Sequence, residues 1–247
     1  MHKTLKVLSA LLTYPTAALV DAVPELAEAL ESEGLVPPAA RRALDVLLEE
    51  LVTHDLYDLQ ECYVLLFDRT RALSLHLFEH VHGESRDRGQ AMVDLKAVYE
   101  RAGLQPATSE LPDYLPLFLE FLATRPMAEA LDLLAEPAHI IAALAERLAK
   151  RGSSYQGVFQ ALVALAKADP RSPEVARLLA TPDPDAADLE ALDAGWEEEE
   201  VTFGPAALAC GKDGLIAKLR AGRRPAPGIE PLTAQRPVVT TTRHNRV

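Results

Sequence analysis

An all-α protein, a single-domain helical bundle of roughly eight to ten helices followed by a poorly ordered C-terminal tail, is the architecture this sequence predicts. Two observations carry that expectation. Alanine and leucine dominate a composition that is 49% hydrophobic but only 5% aromatic, a balance that favours helices over sheets. Apolar residues also recur at three- and four-residue spacing in one segment after another. No strand alternation holds long enough to define a sheet, and no repeat appears at solenoid spacing. At 247 residues the chain is long enough to bury a substantial core.

Lys3 to Tyr14 reads as an amphipathic helix with Leu5, Leu8 and Leu12 on one face, stopped by Pro15. Pro24 to Glu33 forms the next, ended near Gly34. Pro38 sits in the tolerated first turn of a helix whose inward side is Leu44, Leu47, Leu48 and Leu51. Asp55 is placed to cap a helix with the stripe Leu56, Leu59, Tyr63, Leu66 and Phe67. Cys62, close to that stripe, reads as a small buried hydrophobe. Leu73, Leu77 and Val81 fall at i, i+4 and i+8 with Phe78 beside them, which suggests a short helix interrupted by Gly83. Glu84 opens another with acidic residues in its first turn. Its inward residues are Met92, Leu95 and Val98 or Tyr99, and Gly103 is placed for a left-handed cap. After a loop at Pro106 to Ser109, a helix runs through Leu115 to Thr124. It starts near Pro116, because proline is poorly tolerated further in, and Phe118 and Phe121 on one face read as core. Met127 to Ala135 and the stripe Ile140, Leu144 and Leu148, ending at Gly152, make two more helices. Ser153 or Ser154 is placed to cap a last core helix containing Val158, Leu162 and Leu165.

From Pro170 the composition changes, and Pro173, Pro182 and Pro184 cut the chain into pieces in which Glu174 to Ala180 and Ala186 to Ala194 can each hold a short helix. Residues 1–170 are thus expected to form the helical domain, 171–215 a proline-rich acidic extension, and 216–247 a basic, disordered tail. In the extension, Trp196 and Phe203 bracket four carboxylates. That run is either a solvated acidic stretch pinned by its two aromatics or a strap over a basic peptide. The formal charge of −12 argues against nucleic-acid binding. It divides into −18 for residues 1–215 and +6 for residues 216–247, so the acidic body should attract basic partners, most strongly at low salt. Two cysteines, Cys62 and Cys210, suggest neither a disulfide framework nor a zinc site. The N-terminus shows no secretory signal and no apolar run is long enough to span a bilayer, so a cytoplasmic protein without direct membrane insertion is expected.

The run Ser74 to Leu95, SLHLFEHVHGESRDRGQAMVDL, holds the densest chemistry. His76-Leu-Phe-Glu-His80 fits an inverted zinc-hydrolase pattern. On a helix the two histidines would lie one turn apart, with Glu79 as general base. No third ligand stands out, so an enzyme reading rests on five residues, and no phosphate loop or nucleophile elbow supports another chemistry. Peptide binding explains more of the sequence. A groove needs apolar side chains and a few charges that fix register, and carboxylates suit the guanidinium fork of arginine. A third reading is a helical interaction adaptor whose basic tail contacts acidic partners or lipid.

The central run, with YVLLFDRT (Tyr63 to Thr70) before it and ELPDYLPLFLEFLA (Glu110 to Ala123) after it, resembles the assembly chaperones of respiratory nitrate reductase, within the wider family of all-helical chaperones for molybdenum enzymes. The likeness covers roughly residues 4–205. It implies an all-helical, non-enzymatic chaperone that binds the N-terminal peptide of the apo catalytic subunit. Such a chaperone assists insertion of bis-molybdopterin guanine dinucleotide into that client without binding a cofactor or metal stably, and acts before the client docks on its membrane subunit. Contact with cofactor-biosynthesis proteins is a further implication. The residues expected to bind the peptide are Tyr63, Phe67, Asp68, His76, Glu79, His80, Glu84, Arg86, Asp87, Arg88, Glu110, Pro112, Asp113 and Tyr114. At Glu110, Pro112 and Asp113 the chain follows the wider family's E-x-P-D-H signature, and Tyr114 departs from it at the histidine. Asp113 is placed either to cap the helix that follows or to face the peptide.

Overall fold

The computed structural model describes residues 2–82, 86–105, 110–181 and 183, with only the backbone at residues 82, 86 and 87. Twelve α-helices appear among them, and the only β pairing is an isolated bridge. The all-α expectation therefore holds, with more helices than the roughly eight to ten read from periodicity. The additional ones are short. Helix α2 (Ala17–Asp21) buries no residue, so no apolar stripe announces it; Thr16 caps it by accepting the Leu19 N–H at 3.2 Å.

The remaining helices of the first half are α1 (Lys3–Leu11), α3 (Val23–Glu33), α4 (Pro38–Thr53) and α5 (Leu56–Phe67). Helix α1 ends three residues short of Tyr14. Its last turn tightens as Leu12 N–H donates to Ser9 O, and the Thr13 hydroxyl donates to Ala10 O. The residue before a proline avoids the helical region, and Tyr14 is thereby released from the helix and 46% exposed. Gly34 closes α3 at φ 63°, and Asp55 caps α5 by accepting the Tyr57 N–H at 2.8 Å, as expected of both. Cys62 is a correction: it is exposed, not buried. Helix α5 is covered along Leu59, Tyr63, Leu66 and Phe67 only, and this covered face is too narrow to include position 62.

The larger correction concerns residues 71–81. Instead of one helix there is a 3₁₀ turn (Arg71–Leu73), an extended segment, and a four-residue helix α6 (Glu79–His82). Leu73 and Leu77 are buried as anticipated, but Val81 is 52% exposed because no continuous helix carries it inward. Helix α7 (Arg86–Arg101) follows, with Tyr99 2% exposed, and Gly103 leaves it at φ 75°. Then come α8 (Leu115–Ala123), with Pro116 in its first turn, α9 (Met127–Ala135), α10 (Ala138–Lys150), α11 (Gln156–Ala166) and α12 (Pro173–Leu179). Neither Ser153 nor Ser154 caps α11 as expected. The Ser153 hydroxyl accepts the Tyr155 N–H one position too early, and the Ser154 hydroxyl donates to Glu50.

Helix α11 lies between α4 and α10, while α1 packs on α8 and α3. Phe118 and Phe121 belong to this core. Helix α12 packs on α10 through Val175 against Ala142 and Ala143. Beside them the buried Arg147 donates to the carbonyls of Ala72, Leu178 and Thr181 at 2.6–3.2 Å. That guanidinium joins α10, the 3₁₀ turn and the end of α12. Among the described residues no helix is long and apolar enough to cross a membrane. Gly83, Glu84, the loop at 106–109, the proposed helix at 186–194, the Trp196–Phe203 run and the basic tail lie outside the described residues.

Candidate functional site

Helix α5 ends where its stripe ends. After Phe67 the N–H groups of Asp68 and Arg69 both turn back to Val64 O, at 3.1 and 3.2 Å. Thr70 is extended, at φ −127° and ψ 136°, and the buried Ala72 and Leu73 anchor the turn that follows. The chain then runs antiparallel to the segment entering α8. His76 and Tyr114 form the bridge, Leu77 N–H donates to Asp113 O at 3.0 Å, and Leu115 N–H donates to Leu75 O at 2.8 Å.

Asp113 fastens this junction. Its carboxylate is fully buried, accepts the Phe78 N–H at 3.0 Å, and lies 3.3 Å from His76 Nδ1. Tyr114, not Asp113, occupies the capping position of α8, and no side chain caps that helix. The hydrogen bond that His76 donates to the Asp113 carboxylate raises the His76 pKa above its ordinary value, against partial burial, and Glu79 adds to the rise. His80 goes the opposite way. Burial lowers its pKa, although its Nε2 meets Ser74 O at 2.8 Å. Pro112 is held from behind, its carbonyl accepting the Tyr99 hydroxyl at 2.7 Å.

Between the end of α5 and this junction opens a cleft of about 540 Å³. Tyr14, Tyr63, Phe67 and Tyr114 supply its aromatic wall. Tyr63 is central to it. Its ring lies 5.6 Å from Tyr14 and 5.0 Å from Phe67, and its hydroxyl donates to Leu12 O at 2.9 Å with the Tyr114 hydroxyl 3.4 Å away. Burial first, and Tyr114 second, drive its pKa far up, so the hydroxyl stays protonated. Asp68, Glu79 and Glu110 place carboxylates around the cleft, interleaved with Arg69 and Arg71, and Thr70, Ser74 and His76 add polar groups.

Of the residues expected to bind peptide, the cleft gathers Tyr63, Phe67, Asp68, His76, Glu79, Glu110 and Tyr114. His80, Pro112 and Asp113 do not line it; they hold in place the segments that do. Arg88 reaches across from α7 to pair with Glu79 at 2.9 Å. The side chains of Glu84, Arg86 and Asp87 lie outside the described residues. The sequence reading leaves out Tyr14, Arg69, Thr70, Arg71 and Ser74, which also line the cleft. Arg69 and Thr70 were legible as members of the YVLLFDRT block, whereas Tyr14 enters only because α1 stops early. The inverted zinc pattern does not form, since His76 is in the extended bridge and His80 in α6. Among the described residues no three His, Cys, Asp or Glu side chains converge as a metal site. The Cys62 thiol has its pKa raised, by partial burial and then by Glu50, so nothing holds it as the reactive thiolate.

The sequence from residue 17 to residue 161 matches the family described as nitrate reductase delta subunit. The chain belongs to that family. Among relatives of known name, the nitrate reductase molybdenum cofactor assembly chaperone NarJ of Escherichia coli (strain K12) is 48% identical over 216 residues, 87% of this chain and 91% of the relative. Two others are named as probable nitrate reductase molybdenum cofactor assembly chaperones. NarW of the same organism is 41% identical over 81% of this chain and 83% of its own. NarJ of Bacillus subtilis (strain 168) is 32% identical over 65% of this chain and 86% of its own. The three sequence blocks that carry the resemblance meet at the cleft: Tyr63 and Phe67 to Thr70 of the first, Ser74, His76 and Glu79 of the second, and Glu110 and Tyr114 of the third all line it.

Proposed function

We propose that this protein is a cytoplasmic, non-enzymatic chaperone for the assembly of a respiratory nitrate reductase. It binds the N-terminal peptide of the apo catalytic subunit and keeps that subunit competent for insertion of bis-molybdopterin guanine dinucleotide before membrane docking. The cofactor is the client's, and the chaperone acts on the polypeptide. One observation carries the peptide reading: a single cleft walled by Tyr14, Tyr63, Phe67 and Tyr114 and edged by Asp68, Glu79 and Glu110. Aromatic rings with polar ends offer large contact area at small entropic cost, and carboxylates at the edge suit basic side chains. A volume of about 540 Å³ is that of a small-ligand pocket, roughly 300–1,000 Å³. It admits the anchoring side chains of a peptide, with the rest of the segment lying over the surface.

The relatives' names support the assembly role. The test is capture of the apo catalytic subunit by the full chain, with and without the client's first ~30 residues, a segment that would span about 45 Å as a helix. The intact subunit is expected to be retained and the shortened one lost. Equal capture of both would overturn the peptide reading.

A further inference from the structure

Thr70 lines the cleft, is 5% exposed, and its hydroxyl has no hydrogen-bond partner. That is unusual, because a buried hydroxyl carries one donor and two lone pairs and is ordinarily satisfied. It does not cap the 3₁₀ turn it precedes. Its neighbours Asp68, Arg69 and Arg71 are all exposed, so Thr70 lies at the cleft while its hydroxyl oxygen is itself shielded from solvent in the free protein. Arg69 and Arg71 are each already engaged within the folded chain. Phe67, which ends α5 at the negative end of its dipole, and the acidic Asp68 line the same cleft, so the local field favours an incoming donor.

Resting on the peptide-binding reading, we infer that Thr70 is a specificity-determining residue of the cleft, whose hydroxyl accepts an N–H of the bound client peptide. The N–H comes from a peptide main-chain amide or from an arginine guanidinium, and in both cases the contact satisfies a group that the free chaperone leaves unpaired. An unpaired buried hydroxyl costs the free protein and rewards the complex. Removing it must therefore weaken binding without lowering stability, a pattern that a merely structural threonine would not produce.

The test uses the full chain and a synthetic peptide of the client's first ~30 residues, titrated by calorimetry, with melting followed separately. Thr70→Val, close in shape but without the hydroxyl, is expected to melt at the same temperature or higher. It should bind the peptide about three- to tenfold more weakly, the worth of one neutral hydrogen bond. Thr70→Ser is expected to restore binding to within about twofold. Peptides with each arginine replaced by alanine separate the two donors. If the Thr70→Val penalty vanishes with one of them, the donor is that guanidinium, and if it persists throughout, the donor is main chain. Unchanged peptide affinity in Thr70→Val would overturn the inference. So would a lower melting temperature, which would mean the hydroxyl is already partnered in the free protein. Failure of the parent chain to bind the peptide would instead overturn the function proposed above.

Discussion

A single carboxylate, Asp113, stands in for the ladder that a sheet would have supplied. It holds the extended segment 74–78 against the entrance to α8 through the Phe78 N–H and His76. Asp113→Ala is expected to cost about 3 kcal/mol in urea denaturation, because it leaves a buried N–H unpaired and removes a charge-assisted contact. The same contact sets a pH dependence. His76 has a folded pKa above the usual 6.5, so its contribution is complete below 6.5 and is lost as pH rises through the folded value. His80 has a folded pKa below 6.5, so it contributes no penalty above 6.5 and destabilises as pH falls beneath it. The two groups therefore cost stability on opposite sides, His80 as pH falls below 6.5 and His76 as pH rises above it. Denaturation across a pH series should show Asp113→Ala flattening the alkaline limb, where its hydrogen bond is the largest cause of the His76 shift. Retention of that limb in the mutant would show that His76 is not its source.

Helix α11 can lie on α4 only because position 157 has no side chain. A Cβ there would come within 2.5 Å of Ala43 carbonyl carbon and 2.7 Å of the Leu44 nitrogen, backbone atoms that cannot swing away. Gly157→Ala should therefore lose about 2–3 kcal/mol by overpacking, where an exposed helical glycine would gain stability from the same change. A urea midpoint unchanged from the parent would refute that close approach. The contrast explains which elements were legible beforehand. Helices with a deep apolar stripe, such as α4 and α10, announce themselves, and so do ends marked by Gly34, Gly103 and Asp55. Helix α2 buries nothing and leaves no trace. Residues 71–81 depart from the helix their spacing predicts because Leu73, Leu77 and Val81 keep helical periodicity while Asp113, 35 residues from Phe78, draws the chain out of the helix. No local pattern encodes so distant a partner. The cleft was half legible for the same reason: the blocks named Tyr63, Asp68 and Glu110, but not that the early end of α1 brings Tyr14 beside them.

Charge acts over the chain at longer range than any of these contacts. Residues 1–215 carry −18, and a field of that sign speeds the encounter with a basic peptide and fades with salt. Around the cleft itself the signs are mixed, since Arg69 and Arg71 alternate with Asp68, Glu79 and Glu110, and Glu79 is already paired with Arg88. The carboxylates left to meet a basic client are therefore Asp68 and Glu110, both exposed. An exposed pair is worth roughly 0–1 kcal/mol, so Asp68→Lys or Glu110→Lys, which replaces an attraction by a repulsion of similar size, should weaken peptide binding by about thirtyfold at most. The Debye length shrinks from about 30 Å at 0.01 M salt to about 3 Å at 1 M, so the loss must be largest at low ionic strength and nearly absent at high. The aromatic wall is expected to supply the rest by burial, at about 25 cal/mol per Å², so the residual binding at high salt should be the same in both mutants and the parent. Titration calorimetry at the two salt concentrations separates the contributions. Parent-like affinity of both lysine variants at low salt would remove Asp68 and Glu110 from the recognition surface while leaving the aromatic cleft in place.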